Sequence, residues 1–182
     1  MTAGRKVNSN SHDWCTPIKY INCVKKILDG TIELDPCSNE WSIVGAEHEW
    51  VYPYQDGLKL EWNFNTIFVN PPYGSDKEKG TTIKNWIYKC SDANERYGSE
   101  VIALIPVATN TSHWKEYIWG EASSVCFLYD TRLKFLENGN ETGKGAPMAC
   151  AMVYWGEQYN KFFNVLNDYG GVVDIRNLKG VK

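Results

Sequence analysis

Asn70-Pro71-Pro72-Tyr73 is the stretch whose residue types and order point most directly to chemistry. Neither proline has a backbone N–H, and each restrains the residue before it to extended conformations. The Asn70 side-chain oxygen and the Pro71 carbonyl are thereby held as fixed, uncommitted acceptors. Two neighbouring acceptors match a flat –NH2 group, which carries two donor hydrogens. Tyr73 adds a ring that can stack on the plane bearing that group. An amine conjugated to a ring is a poor nucleophile because its lone pair is delocalised. Accepting hydrogen bonds from both of its N–H groups draws the lone pair out of plane and aims it at an electrophile. This is orientation and preorganised electrostatics, with no covalent nucleophile. The same four residues also make a plain turn, so the surrounding elements decide between the readings.

Thr66 to Val69 is apolar, β-branched or aromatic, and stops abruptly at Asn70, which puts the tetrapeptide at the end of a buried strand. Residues 31–35 form a second β-prone stretch ending at Pro36, so Asp35 and Asn70 are two polar strand ends. Thr16-Pro17 predicts a helix start with Thr16 as N-cap, followed by Ile18, Ile21, Val24, Ile27 and Leu28 at helical spacing. Ile83, Trp86, Ile87, Cys90 and Tyr97 mark one face of a second helix. Strand 101–106, helix 112–119, strand 125–129, a polar loop 137–145, strand 148–155 and a terminal helix 159–169 follow. Residues 50–52 are a further candidate strand, and Gln55-Asp56-Gly57 is turn chemistry. Alternating strands and helices predict an α/β fold, with a mostly parallel sheet covered on both faces. The last two strands lack a helix between them, so one antiparallel edge strand is expected. Ligands of such sheets bind at the carboxyl ends of the strands, where Asp35 and Asn70 lie.

Composition narrows the class. The 182 residues are 43% hydrophobic and 23% charged, which excludes a disordered chain. A net charge of -3 excludes a globally basic nucleic-acid coat but permits a local basic face. Many of the eight Trp and 11 Tyr must serve the core, but so many flat side chains also suit stacking on planar ligands. The longest apolar run, 101–108, is broken by Pro106 and is too short to cross a bilayer. Residues 1–13 have no apolar core for a signal peptide, so a cytoplasmic protein with reduced cysteines is expected. The six cysteines form no C-x-x-C pair and no zinc-ligand spacing with the histidines, so no metal is expected. The organisation expected is a flexible arm, 1–12, and a single domain, 13–182, with no separate recognition domain.

Seven short pieces occur in order: Asp13-Trp14-Cys15-Thr16-Pro17, Leu34-Asp35-Pro36-Cys37-Ser38, Asp56-Gly57-Leu58, Asn70-Pro71-Pro72-Tyr73-Gly74, Leu104-Ile105-Pro106, Arg132-Leu133-Lys134-Phe135 and Gly145-Ala146-Pro147. Together they resemble the amino-methyltransferases, specifically the phage-type DNA N-6-adenine methyltransferase family, across residues 13–155. The resemblance implies an S-adenosylmethionine-dependent methyltransferase three-layer sandwich that methylates N6 of adenine in DNA. It implies that Asn70, Pro71, Pro72 and Tyr73 are catalytic, with Asp35, Pro36, Cys37 and Ser38 as the cofactor loop. Trp14, Thr16 and Pro17 then wall the cofactor pocket. Asp35 takes the donor's charged amino group in a charge-assisted bond, or serves as a strand-end turn carboxylate. Asp56 either accepts from the donor's adenine or ribose or is the turn residue before Gly57. Unlike the wider superfamily, no glycine lies between Gly30 and Gly45; a donor without phosphate needs no glycine-amide cradle. Pro36-Cys37 is similar to the nucleophile pair of cytosine-C5 methyltransferases. There, however, the pair follows the strand where Asn70 sits here, so Cys37 is read as packing or lining the pocket.

DNA is the partner the resemblance implies, and a duplex adenine must leave the stack to reach such a pocket. Arg132, Lys134 and Lys144 supply positive charge, and Phe135 is positioned to stack on the base opposite Tyr73. Thr109 and Asn110 follow strand 101–106 as another wall. Glu137 and Glu141 dilute the charge, so a solvated loop is the competing reading. No membrane partner is expected, the oligomeric state is open, and a phage-encoded protein would work in the bacterial host cytoplasm. Two other functions fit the same residues: methylation of RNA or of a protein glutamine amide, and a catalytically silent module that binds nucleic acid or protein.

Overall fold

The computed structural model describes residues 14–76, 80–130, 133–141 and 148–178. Its helices are α1 (Ile18–Ile27), α2 (Ile83–Tyr97), α3 (Ser112–Tyr117) and α4 (Tyr159–Leu166). The main sheet uses β2 (Leu34–Ser38), β3 (His48–Val51), β4 (Thr66–Val69), β7 (Glu100–Pro106), β8 (Ser124–Leu128), β11 (Cys150–Trp155) and β12 (Gly170–Asp174). Short strands β1 (Trp14–Cys15), β9 (Leu136–Glu137) and β10 (Asn140–Glu141) form a second sheet, and β5 (Ser75–Asp76) pairs with β6 (Thr81–Thr82).

Side-chain alternation makes the layers. Along β7, Ile102 and Leu104 enter one core, with Tyr20, Val24 and Ile27 of α1 and Phe162 and Leu166 of α4. Val101, Ala103 and Ile105 enter the opposite core, with Ile87 and Cys90 of α2 and Trp114 of α3. The result is a three-layer sandwich, as expected of strands covered on both faces. Ile18 departs from the predicted helix face and is 55% exposed, while Tyr20 and Cys23 take buried places.

The sheet order is β12-β8-β11-β7-β4-β2-β3. Strands β3, β2, β4 and β7 are parallel. The expectation of one antiparallel edge strand is corrected: β11 is antiparallel and lies inside the sheet, between β7 and β8. Every residue of β11 is buried, as an uninterrupted apolar run requires. One edge is β3, and the other is β12, antiparallel to β8, in a segment with no predicted strand. Gly170 makes that pairing possible, because a Cβ there would lie 2.4 Å from the Phe127 carbonyl oxygen.

Other boundaries shift. The segment predicted as polar loop 137–145 supplies part of the β9–β10 hairpin. The terminal helix ends at Leu166, and the candidate strand at 50–52 runs from His48 to Val51. The predicted arm, 1–12, lies outside the described residues. Among the described residues no helix is long and apolar enough to cross a membrane, and no group of three or more His, Cys, Asp or Glu gathers as a metal site.

Candidate active site

β2 and β4 are sheet neighbours, paired at Leu34 and Ile67, so their carboxyl ends deliver Asp35 and Asn70 to one place. Both line a small open cleft with Trp14, Thr16, Cys37 and Ser38. A second, smaller hollow is lined by Trp14, Asn70, Pro71 and Tyr73. Trp14 and Asn70 belong to both and therefore stand where the hollow beside Asp35 meets the hollow beside Tyr73.

Asn70 is half-buried and its Nδ2 donates to the Trp14 main-chain carbonyl at 3.3 Å. Tyr73 is buried, and its hydroxyl donates to the Leu104 carbonyl at 3.1 Å. That bond fixes the ring from the far end. Trp14 stacks on Phe135 at 5.3 Å and 15°, and Tyr73 meets both rings edge-on. Tyr73 and Phe135 are 5.8 Å apart at 73°, so their rings do not frame a parallel slot for a base. Phe135, predicted to face Tyr73 across such a slot, instead backs Trp14.

Asp35 is 5% exposed, and its Oδ1 accepts from the Cys37 N–H at 3.2 Å. Burial raises its pKa from the ordinary 3.8 to about 7, and the neighbouring Glu49 carboxylate pushes the same way. The strand-end turn and a cleft-lining carboxylate therefore coexist in one residue. A register shift between Asp35 and Ser38 lets β2 carry Pro36, which has no ladder N–H to offer. Desolvation and the neighbouring Asp35 also push the half-buried Cys37 thiol well above its usual pKa, which disfavours the thiolate.

The helix-capping role expected of Thr16 is corrected. Pro17 occupies the N-cap of α1 without a side-chain cap bond, and the buried Thr16 Oγ1 has no hydrogen-bond partner. Thr16 instead is one of the residues lining the cleft. Pro17, Pro36, Pro72 and Asp56 are not among the residues lining either chamber. Asp56 Oδ1 accepts from the Leu58 N–H at 3.2 Å and Oδ2 pairs with Lys59 at 3.4 Å, the turn role. Gly57 explains the motif: its Cα packs so closely on Pro36 that a Cβ would lie 2.0 Å from the Pro36 carbonyl oxygen.

Lys134, Thr109 and Asn110 are exposed; the latter two follow β7 at the same end of the sheet as Asn70. Arg132 and Lys144 lie outside the described residues. Sequence reasoning missed Cys15, Asn39, Ser42 and Val44 in the cleft wall. It also missed Glu49, which accepts from the Ser38 and Ser42 hydroxyls and the Gly45 and Ala46 N–H groups. The polar run Ser38-Asn39 after a strand end was the available signal.

The family model for DNA N-6-adenine-methyltransferase (Dam) matches residues 4–178. The chain belongs to this family. A DNA N-6-adenine-methyltransferase of Haemophilus phage HP1 (strain HP1c1) is 21% identical over 144 residues, 79% of this chain and 76% of the relative. No solved structure matches the chain. For a Dam-family protein the packing has a clear sense, because the described parts of six motif pieces meet at one end of the sheet. Trp14 contacts Asn70 and Phe135, Tyr73 contacts Leu104, Asp35 shares the cleft with Asn70, and Gly57 packs on Pro36. The seventh piece, Gly145-Ala146-Pro147, lies outside the described residues.

Proposed function

We propose that this chain transfers a methyl group from S-adenosylmethionine to the N6 amino group of adenine in DNA. One observation carries the reading: Asn70 and Trp14 line two adjoining hollows, one holding Asp35 and the other Tyr73, the arrangement a transfer between two bound molecules needs. Family membership supports adenine in DNA as the acceptor. The cleft suits the amino-acid end of the donor. Asp35 meets an ammonium group, Ser38 adds a hydroxyl, and the partnerless Thr16 Oγ1 gains a hydrogen bond. When bound, the donor supplies an electrophilic methyl carbon on a sulfonium sulfur.

Asn70 Oδ1 and the Pro71 carbonyl accept from the two N–H groups of the amine, pulling its lone pair out of the ring plane. Tyr73 and Trp14 support the flipped base with apolar surface. Pro72 keeps Pro71 extended, while Pro17, Pro36 and Cys37 shape the donor cleft. Asp56, through the turn that seats Gly57 on Pro36, braces it. Lys134, Thr109 and Asn110, with Arg132 and Lys144, contact the DNA backbone.

The test is transfer of a tritiated methyl group from the donor to duplex DNA, single-stranded DNA, RNA and a glutamine-containing peptide, followed by nucleoside analysis. N6-methyladenine in DNA is the expected product. Label in RNA or peptide would reassign the acceptor, and no donor binding by calorimetry would make the chain a silent module. N70A is expected to lose about a thousandfold or more in turnover with donor affinity kept. A fully active N70A would remove Asn70 from the mechanism.

A further inference from the structure

A main-chain carbonyl can only accept hydrogen bonds. Trp14 O lies 3.3 Å from Asn70 Nδ2, so the –NH2 end of the amide must face Trp14. Oδ1, the only acceptor of that side chain, is then turned away from the carbonyl. Contacts independent of Asn70 hold Trp14 still. Its strand pairs with β9 in the register Trp14↔Glu137 and Cys15↔Leu136, and its ring stacks on Phe135. The Cys15 thiol donates to the Trp41 carbonyl at 3.2 Å. Without the Trp14 carbonyl, rotation of the amide by half a turn would present donors to a donor amine.

We propose that the Trp14 main-chain carbonyl is a positioning group of the acceptor pocket, which fixes the Asn70 amide so that Oδ1 alone faces the substrate amine. This rests on the reading that Asn70 accepts from that amine. The small sheet joining β1 to β9 thereby belongs to the catalytic apparatus although its side chains do no chemistry. A carboxylate at position 70 has Asn70's shape but no donor for Trp14. Ionised, it sets an oxygen against the carbonyl; protonated, its O–H donates to Trp14 while the other oxygen accepts from the amine.

N70D tests this in single-turnover methylation at saturating donor, from about pH 5.5 to 8.5, with each rate divided by that of the wild type. Asp35, Cys37 and Tyr73 also face this position, and the division removes their effect on the wild-type rate. The ratio is expected to fall about tenfold per pH unit above the pKa of the introduced carboxyl. A flat ratio overturns the proposal. Should N70D be silent at every pH, carbon-13 NMR titration of the introduced carboxyl in the D35N background decides. A Trp14 carbonyl carbon shift that follows the same titration supports the Trp14 contact, and one that stays constant through it overturns it. A wild type that makes no N6-methyladenine would overturn the function instead, while the titration would still report the carbonyl contact.

Discussion

Asp35 and Glu49 are register partners on the neighbouring parallel strands β2 and β3, and the Glu49 charge helps push the Asp35 carboxyl up to about 7. An ammonium ligand needs Asp35 ionised. Donor affinity is therefore expected to level off above about pH 7 and to weaken by up to about tenfold per unit below it. Calorimetry with S-adenosylhomocysteine across this range measures it. E49Q should move the midpoint to lower pH, and a shift upward would contradict the coupling.

The same carboxyl burdens the fold. Its folded-state pKa of about 7 lies above the ordinary 3.8, so the folded protein holds the proton more tightly than the unfolded chain. The stabilising contribution is complete below the unfolded value and disappears as pH rises through about 7. D35N keeps the shape without the charge, so it should raise Tm at pH 8 and leave it nearly unchanged at pH 4. The gain at high pH is on the order of a few kcal/mol. Equal Tm differences at both pH values would show that Asp35 is not desolvated.

Tyr73 separates ring from hydroxyl. Y73F loses the bond to the Leu104 carbonyl and the hydroxyl's contact with the Cys150 thiol, at a cost of about 1 kcal/mol in stability, and should keep most of its turnover. Y73A removes one wall of the hollow beside Asn70 and should raise KM for DNA far more than it changes donor affinity. Denaturant melts and DNA-concentration series distinguish the two. An inactive but folded Y73F would assign the hydroxyl a chemical role.

Desolvation and the adjacent Asp35 push the Cys37 thiol pKa up, which favours its protonated form. C37A is expected to keep turnover within about threefold of the wild type. Complete loss in a folded C37A, together with a trapped protein–DNA adduct in the wild type, would point to covalent catalysis.

Gly57 allows the Asp56 turn to sit on the Pro36 strand end. G57A must push these backbones apart, with an expected destabilisation of about 1–3 kcal/mol. Donor affinity should fall as well, because the displaced segment carries Asp35 and Cys37. Unchanged donor affinity in G57A would show that the turn does not brace the cleft.

Much of the machinery was legible from local pattern. The apolar run Thr66 to Val69 ending at Asn70, and the helical spacing from Ile83 to Cys90, appear in the structure as β4 and α2. Asp35 and Asn70 stood out because a polar side chain at the end of a buried strand is a local signature. The carboxyl-end rule then placed them together, and the cleft they share agrees.

By itself the sequence determined which residues carry lone pairs, which backbones are stiff and which faces are apolar. Periodicity and proline chemistry act within a few residues and need no partner. Tertiary structure decided the rest. A two-residue strand such as β1 has no periodicity to read, yet its pairing with β9 puts the Trp14 carbonyl on Asn70. The interior place of β11, the raised pKa of Asp35 and the backing of Trp14 by Phe135 likewise depend on segments far apart in the chain. Burial and hydrogen-bond partners are properties of the packed whole, so no window of neighbouring residues contains them.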